Sequence, residues 1–180
     1  MFKRILCLIL STTFVFSASP VQASTHAKLL NNLGANDIMF AQLMIPHHQQ
    51  AIDMSNLALK NGVGVQTKEL ARGIIAAQKQ EIVQMKYWLT SAKAPSAMAH
   101  DMGMNGMLSA KELSVLKSLR GKAFEKKYLE AMIKHHQGAL DMVIYLKSTK
   151  NSEAKKLDKD IRSAQSAEIS TMKKMLSKLG

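Results

Sequence analysis

Cysteine is all but missing from this chain of 180 residues. The single copy, Cys7, stands in an apolar run from Ile5 to Phe16 that follows Lys3 and Arg4 and leads to Val21-Gln22-Ala23. This is the pattern of a cleaved export signal. Cleavage near Ala23 is expected to leave residues 24–180 with no thiol, so neither disulfides nor thiolate ligands belong to the mature protein. Long apolar runs are also missing. The leader is short for a bilayer, and no later stretch is long and charge-free enough to cross one. A soluble protein, periplasmic or otherwise exported, is therefore expected. Aromatic residues make up only 5% and tryptophan occurs once, so they cannot dominate a core. Acidic residues are outnumbered by basic ones, 13 to 25, for a formal net charge of +12. A nucleic-acid partner does not follow, because an exported chain does not meet one and Lys155, Lys156 and Lys159 are spaced among Asp and Glu like a solvated helix face. Glu-x-x-His, the pattern of dinuclear iron and manganese bundles, does not occur.

What the chain has instead is methionine, 13 copies in all. Much of it belongs to a repeat. MIPHHQQAIDM, Met44 to Met54, returns as MIKHHQGALDM, Met132 to Met142, with eight identities in eleven positions. Farther on, LARGIIAAQKQEIVQMKYWL from Leu70 matches LDKDIRSAQSAEISTMKKML from Leu157, retaining Gln78, Glu81 and Met85 as Gln165, Glu168 and Met172. The expected mature chain, one domain over 24–180, is thus a tandem duplication: a first unit over about 29–90, a Met-rich loop over about 95–108 and a second unit over about 109–179. Each unit reads as two amphipathic helices, over about 37–60 and 66–90 and then about 123–148 and 152–178. Ser109 and Glu112 form a capping-box pattern at the start of the second unit. Two helical hairpins can bury their apolar stripes only against each other, which predicts an all-α four-helix bundle. Pro46 requires a kink or a nearby helix start.

The chemistry lies in the repeat. On a helix, His47 and His48 border the stripe of Phe40, Met44, Ala51 and Ala58, with Met54 beside it, and pseudo-twofold symmetry would bring Met132, His135, His136 and Met142 to face them. One such pair reads as hydrogen-bonded histidine in an adaptable methionine core. Two copies with the methionines retained favour metal. Glu81 and Glu168 fall on apolar arcs, where a lone carboxylate is costly. Each can accept a histidine N–H, coordinate a metal, or pair with lysine across the bundle. Asp53 and Asp141 lie opposite the methionine stripe and read as helix-surface or interhelix pairing residues rather than ligands. The loop adds Met98, His100, Met102, Met104 and Met107 among Gly103, Asn105 and Gly106, a sequence that suggests flexibility. Neutral, soft thioethers suit Cu(I), whereas Mg²⁺ and Ca²⁺ ask for clustered oxygen.

The doubled M-I-x-H-H-Q-x-A-x-D-M followed by A-Q-x-x-E-I-x-x-M resembles the ferritin-like family known as domain of unknown function 305. The resemblance implies a four-helix ferritin-like fold with copper binding and copper resistance in the cell envelope. It carries the family motif onto Met44, His47, His48 and Met54 and onto Met132, His135, His136 and Met142, with Lys134 departing from Pro46 of the first unit. A lysine projecting into the seam would weaken the second site. The expected function is non-catalytic: buffering, sequestering or handing over copper, mainly Cu(I), with another copper-handling envelope protein as partner. The alternatives are a dinuclear iron or manganese redox enzyme and a metal-free helical interaction module, and an oxidase activity at a mixed-valence site stays open.

Overall fold

Caps in the sequence set most of the helix ends. The computed structural model describes residues 32–61, 63–97 and 104–179, which form five α-helices and a 3-10 turn. The expected export signal and Met98, His100 and Met102 lie outside the described residues. Helix α1 spans Ala35–Lys60, α2 Val65–Ser91, α3 Ala110–Ser118, α4 Gly121–Met142 and α5 Ser152–Leu179, with the 3-10 turn Val143–Leu146 after α4. Asp37 opens α1 by accepting the Gly34 N–H at 2.8 Å, a negative charge on the positive end of the helix dipole. The Ser109 hydroxyl accepts the Glu112 N–H while Glu112 accepts the Ser109 N–H at 2.7 Å, the reciprocal box the sequence predicts. The Asn151 side chain caps α5 by accepting N–H bonds from Glu153 and Ala154. One cap is tertiary: Glu125 of α4 accepts the Gly64 N–H and the Thr67 hydroxyl at the start of α2.

Two details differ from the sequence expectation. Pro46 does not start a helix but lies inside α1. It is exposed, so the backbone bond it removes from the Gln42 carbonyl falls on the solvent side of the helix. The capping box at Ser109 opens a separate nine-residue helix, because Leu119 and Arg120 are extended and Gly121 turns at φ +54° before α4 begins.

The long helices pack as two hairpins, α1 on α2 and α4 on α5, joined chiefly through α1 and α4. Their apolar faces form two clusters, not one. The first contains Met54, Met132 and Met172 with Phe124, Tyr128 and Leu116. The second contains Met44, Met85 and Met142 with Phe40, Trp88 and Leu146. Along each long helix the residues between the clusters are polar: His47 and His48 on α1, Gln78 and Glu81 on α2, His135 and His136 on α4, Gln165 and Glu168 on α5. The helices run alternately from one cluster to the other, so the repeat places a polar layer across the middle of the bundle. Among the described residues no helix is long and apolar enough to cross a membrane.

The turn Asn105-Gly106 lies directly on α4. Gly106 has φ +85°, and a Cβ on Gly138 would sit 1.9 Å from the Asn105 carbonyl oxygen. Only glycine permits this approach. Gly138→Ala should therefore push the turn off the helix and cost about 1–3 kcal/mol of stability by overpacking, seen as a lower urea midpoint. An unchanged midpoint would show that the turn is not held there.

Candidate metal centre

All four repeated histidines are removed from solvent: His47, His48 and His136 at 0% and His135 at 1% relative exposure. A buried imidazole needs partners for both nitrogens, and these four do not have them. His48 Nε2–H donates to Glu81 Oε2 at 2.6 Å, and His136 Nε2–H donates to Glu168 Oε2 at 2.7 Å. A carboxylate only accepts, so Nε2 carries a proton in both, and each buried Nδ1 has no hydrogen-bond partner. His47 repeats the arrangement with a backbone acceptor, Nε2–H to the Asn105 carbonyl at 3.2 Å, again leaving Nδ1 unpartnered. In His135 neither nitrogen has a partner.

The two units meet through His47 and His135, whose ring centroids lie 3.7 Å apart, while each adjacent pair within a unit stands at 6.4 Å. Burial, reinforced by neighbouring His48, lowers the His47 pKa to about 3. Burial and the neighbouring His47 also hold His135 well below the ordinary imidazole value. Both rings are thus neutral at pH 7, the form that binds metal. Among the described residues no group of three or more His, Asp or Glu side chains is placed to hold one ion. Nitrogen is offered singly or in pairs, and any further protein ligand has to come from another donor type.

Thioether sulfur flanks the layer on both sides, but not in the grouping the repeat suggests. Met44 and Met54 are ten residues apart on one helix, about 15 Å at 1.5 Å per residue, and belong to opposite clusters. The structure gathers Met44 with Met142 from the other unit, and Met54 with Met132. Each pair is joined by a methionine the histidine motif does not contain, Met85 in one cluster and Met172 in the other. Their signal was present in the sequence as the repeated A-Q-x-x-E-I-x-x-M. Gln78 and Gln165 are equally buried, each with an unpartnered amide oxygen.

The remaining residues sort as follows. Asp53 and Asp141 are exposed, as their helix positions imply. Lys134 is exposed as well, so it places no cation in the seam. Glu81 and Glu168 pair with histidine and not with lysine. The described end of the loop, 104–108, is anchored: Met104 packs on the second cluster, Met107 is half-buried, and Gln50 holds the Leu108 backbone from both sides at 2.9 and 2.7 Å.

A four-helix bundle whose waist carries histidines tethered by carboxylates between two methionine clusters defines the class. The chain belongs to the DUF305 family, a domain of unknown function whose model matches residues 37–176. It is similar to a DUF305 protein from Streptomyces coelicolor, at 30% identity and TM-score 0.76, covering 81% of this chain and 94% of that one. It is similar also to CopM in the Cu(I)-bound form, at 38% identity and TM-score 0.66, covering 79% and 96%. For CopM in the Cu(II)-bound form the values are 37%, 0.70, 80% and 97%. No curated protein matches the sequence.

Proposed function

We propose that this chain is an exported, non-catalytic copper-binding protein that holds the metal mainly as Cu(I) and buffers it or passes it to another copper-handling protein of the envelope. One observation carries the reading: the unpartnered ring nitrogens of His47, His48, His135 and His136 lie buried between two trios of methionine. Each unpaired buried nitrogen costs about 1–3 kcal/mol, a cost that a bound ion removes. Imidazole with thioether is the donor set of a soft cation, and the thiol-free composition suits an oxidising compartment. The likeness to CopM, solved with Cu(I) and with Cu(II), supports the choice of copper. The donors divide into Met44, Met85 and Met142 on one side of the layer and Met54, Met132 and Met172 on the other, with Met98, His100, Met102, Met104 and Met107 of the Met-rich sequence as exchangeable ligands. Export rests on the leader pattern before Ala23.

Glu81 and Glu168 orient His48 and His136 and raise the basicity of the inward nitrogen. Glu81→Ala and Glu168→Ala should each weaken copper binding by about 10–100-fold, read by competition against a Cu(I) chelator. Metal analysis of the purified, copper-loaded protein tests the reading as a whole. Retained copper is expected. Two tightly held iron or manganese ions, or no metal after loading, would replace it with a redox centre or a structural histidine layer respectively.

A further inference from the structure

Every donor in the bundle is buried, so an ion needs a way in. Met44, Met54, Met85, Met132 and Met172 are all fully covered; of the six cluster methionines only Met142 reaches solvent, at 7%. Met142 lies on the wall of a surface cavity of about 140 Å³, together with Met104, Leu43, Asn105, Asp141 and Tyr145. Two thioethers, one carboxylate and no basic side chain line it. Its Asn105 wall is the residue whose carbonyl receives the His47 Nε2–H, so Asn105 links the cavity wall to the histidine layer.

The other cavities are chemically different. Two lie at the far end of the bundle around Met175, walled by Lys178 and, in one, Lys174, and neither is lined by a cluster methionine. A third runs along α4 beside Asn105 and Gly106, has no methionine, and sets Lys134 and Lys173 beside Glu130 and Asp141, while a fourth, lined by Asp37 and Lys150, has no methionine either. A lysine ammonium repels a cation and offers no lone pair. Of these cavities, the one at Met104 and Met142 joins a cluster methionine to a carboxylate with no lysine beside it.

We propose that Met104 and Met142 form a thioether port for a soft monovalent cation, and that metal loads and leaves the bundle through this side alone. The port rests on the copper-binding reading and adds a route to it. Asp141 attracts the cation, and the Met104–Met142 sulfurs replace its water. The Asn105-Gly106 turn, seated on Gly138, separates the port from His47. The members of the first cluster, Met54, Met132 and Met172, load after the port side.

Silver(I), which does not change oxidation state here, serves as the probe. The full exported chain, labelled at its methionine methyl carbons and assigned by single Met→Leu variants, is titrated with less than one equivalent while NMR spectra are recorded in succession. The Met104 and Met142 methyl signals should move first, and those of Met54, Met132 and Met172 later. In a second measurement, Met104→Leu, a volume-conserving change, should slow transfer of Cu(I) from a chelator to the protein by about tenfold. Met175→Leu, at the lysine-walled cavities, should not. Early movement of Met54, Met132 or Met172, or an unchanged transfer rate in Met104→Leu, overturns the port while leaving copper binding intact. A chain in which no methionine signal moves and no copper transfers overturns both.

Discussion

Acidifying the copper-free protein from pH 7 to pH 5 should lower its unfolding free energy by about 2 kcal/mol through His47, with His135 adding to the loss in the same direction. His47 and His135 have pKa values depressed by burial, to about 3 and well below the ordinary value respectively. In the unfolded chain each titrates near 6.5. Above that value neither state binds the proton and there is no penalty. As the pH falls below it, the unfolded chain gains protons that the fold refuses, and stability drops by about 1.4 kcal/mol per pH unit for each ring. The loss continues until the folded state itself protonates, near pH 3 for His47. Urea unfolding at several pH values should show this acid limb in the wild type, and a His47→Leu, His135→Leu variant should show a much shallower one. Equal slopes in the two proteins would mean that these rings are not held neutral by burial. The same depression bears on the proposed metal site: at pH 5 the folded protein still presents His47 unprotonated, so acid is expected to weaken copper binding there through the fold more than through the ligand.

The second large effect concerns which methionines act together. Met44→Leu with Met142→Leu removes two sulfurs of one cluster, although they come from different sequence repeats. Met44→Leu with Met54→Leu removes two sulfurs of one repeat, although they lie in different clusters. Leucine conserves volume, so both variants should fold with losses under about 1.5 kcal/mol. If copper is bound cluster by cluster, the first variant should lose binding on one side by tenfold or more, at about 1.4 kcal/mol per decade, while the other side keeps its affinity. The second variant should weaken both sides. Chelator-competition isotherms separate the two patterns. Loss of one intact site in the Met44, Met54 variant, with both sites merely weakened in the Met44, Met142 variant, would restore the repeat as the binding unit.

Much of this protein was legible in one dimension. Helical spacing of apolar residues, the Ser109–Glu112 box and the offset between MIPHHQQAIDM and MIKHHQGALDM define long helices in two homologous hairpins. Burial of both histidine pairs followed as well, because a helix face is a matter of register, which local sequence sets. The partner of Glu81 did not follow. A carboxylate on an apolar arc states that it needs a donor, and only the approach of α1 to α2 chose His48 over a lysine. The split of Met44 from Met54 was likewise hidden, since both repeat with the histidines and nothing local says that the helices pass the waist in alternating directions. The Met104 and Met107 region read as loose from its glycines, yet Gly106 and Gly138 are the residues that let it press onto α4.

Register within a helix depends on neighbours three and four residues away, so the sequence by itself determined the elements, their buried faces and the inventory of soft donors. Which donors share a cluster, which nitrogen stays unpartnered and where the bundle opens depend on residues some 30 to 120 positions apart, brought together only when the helices packed.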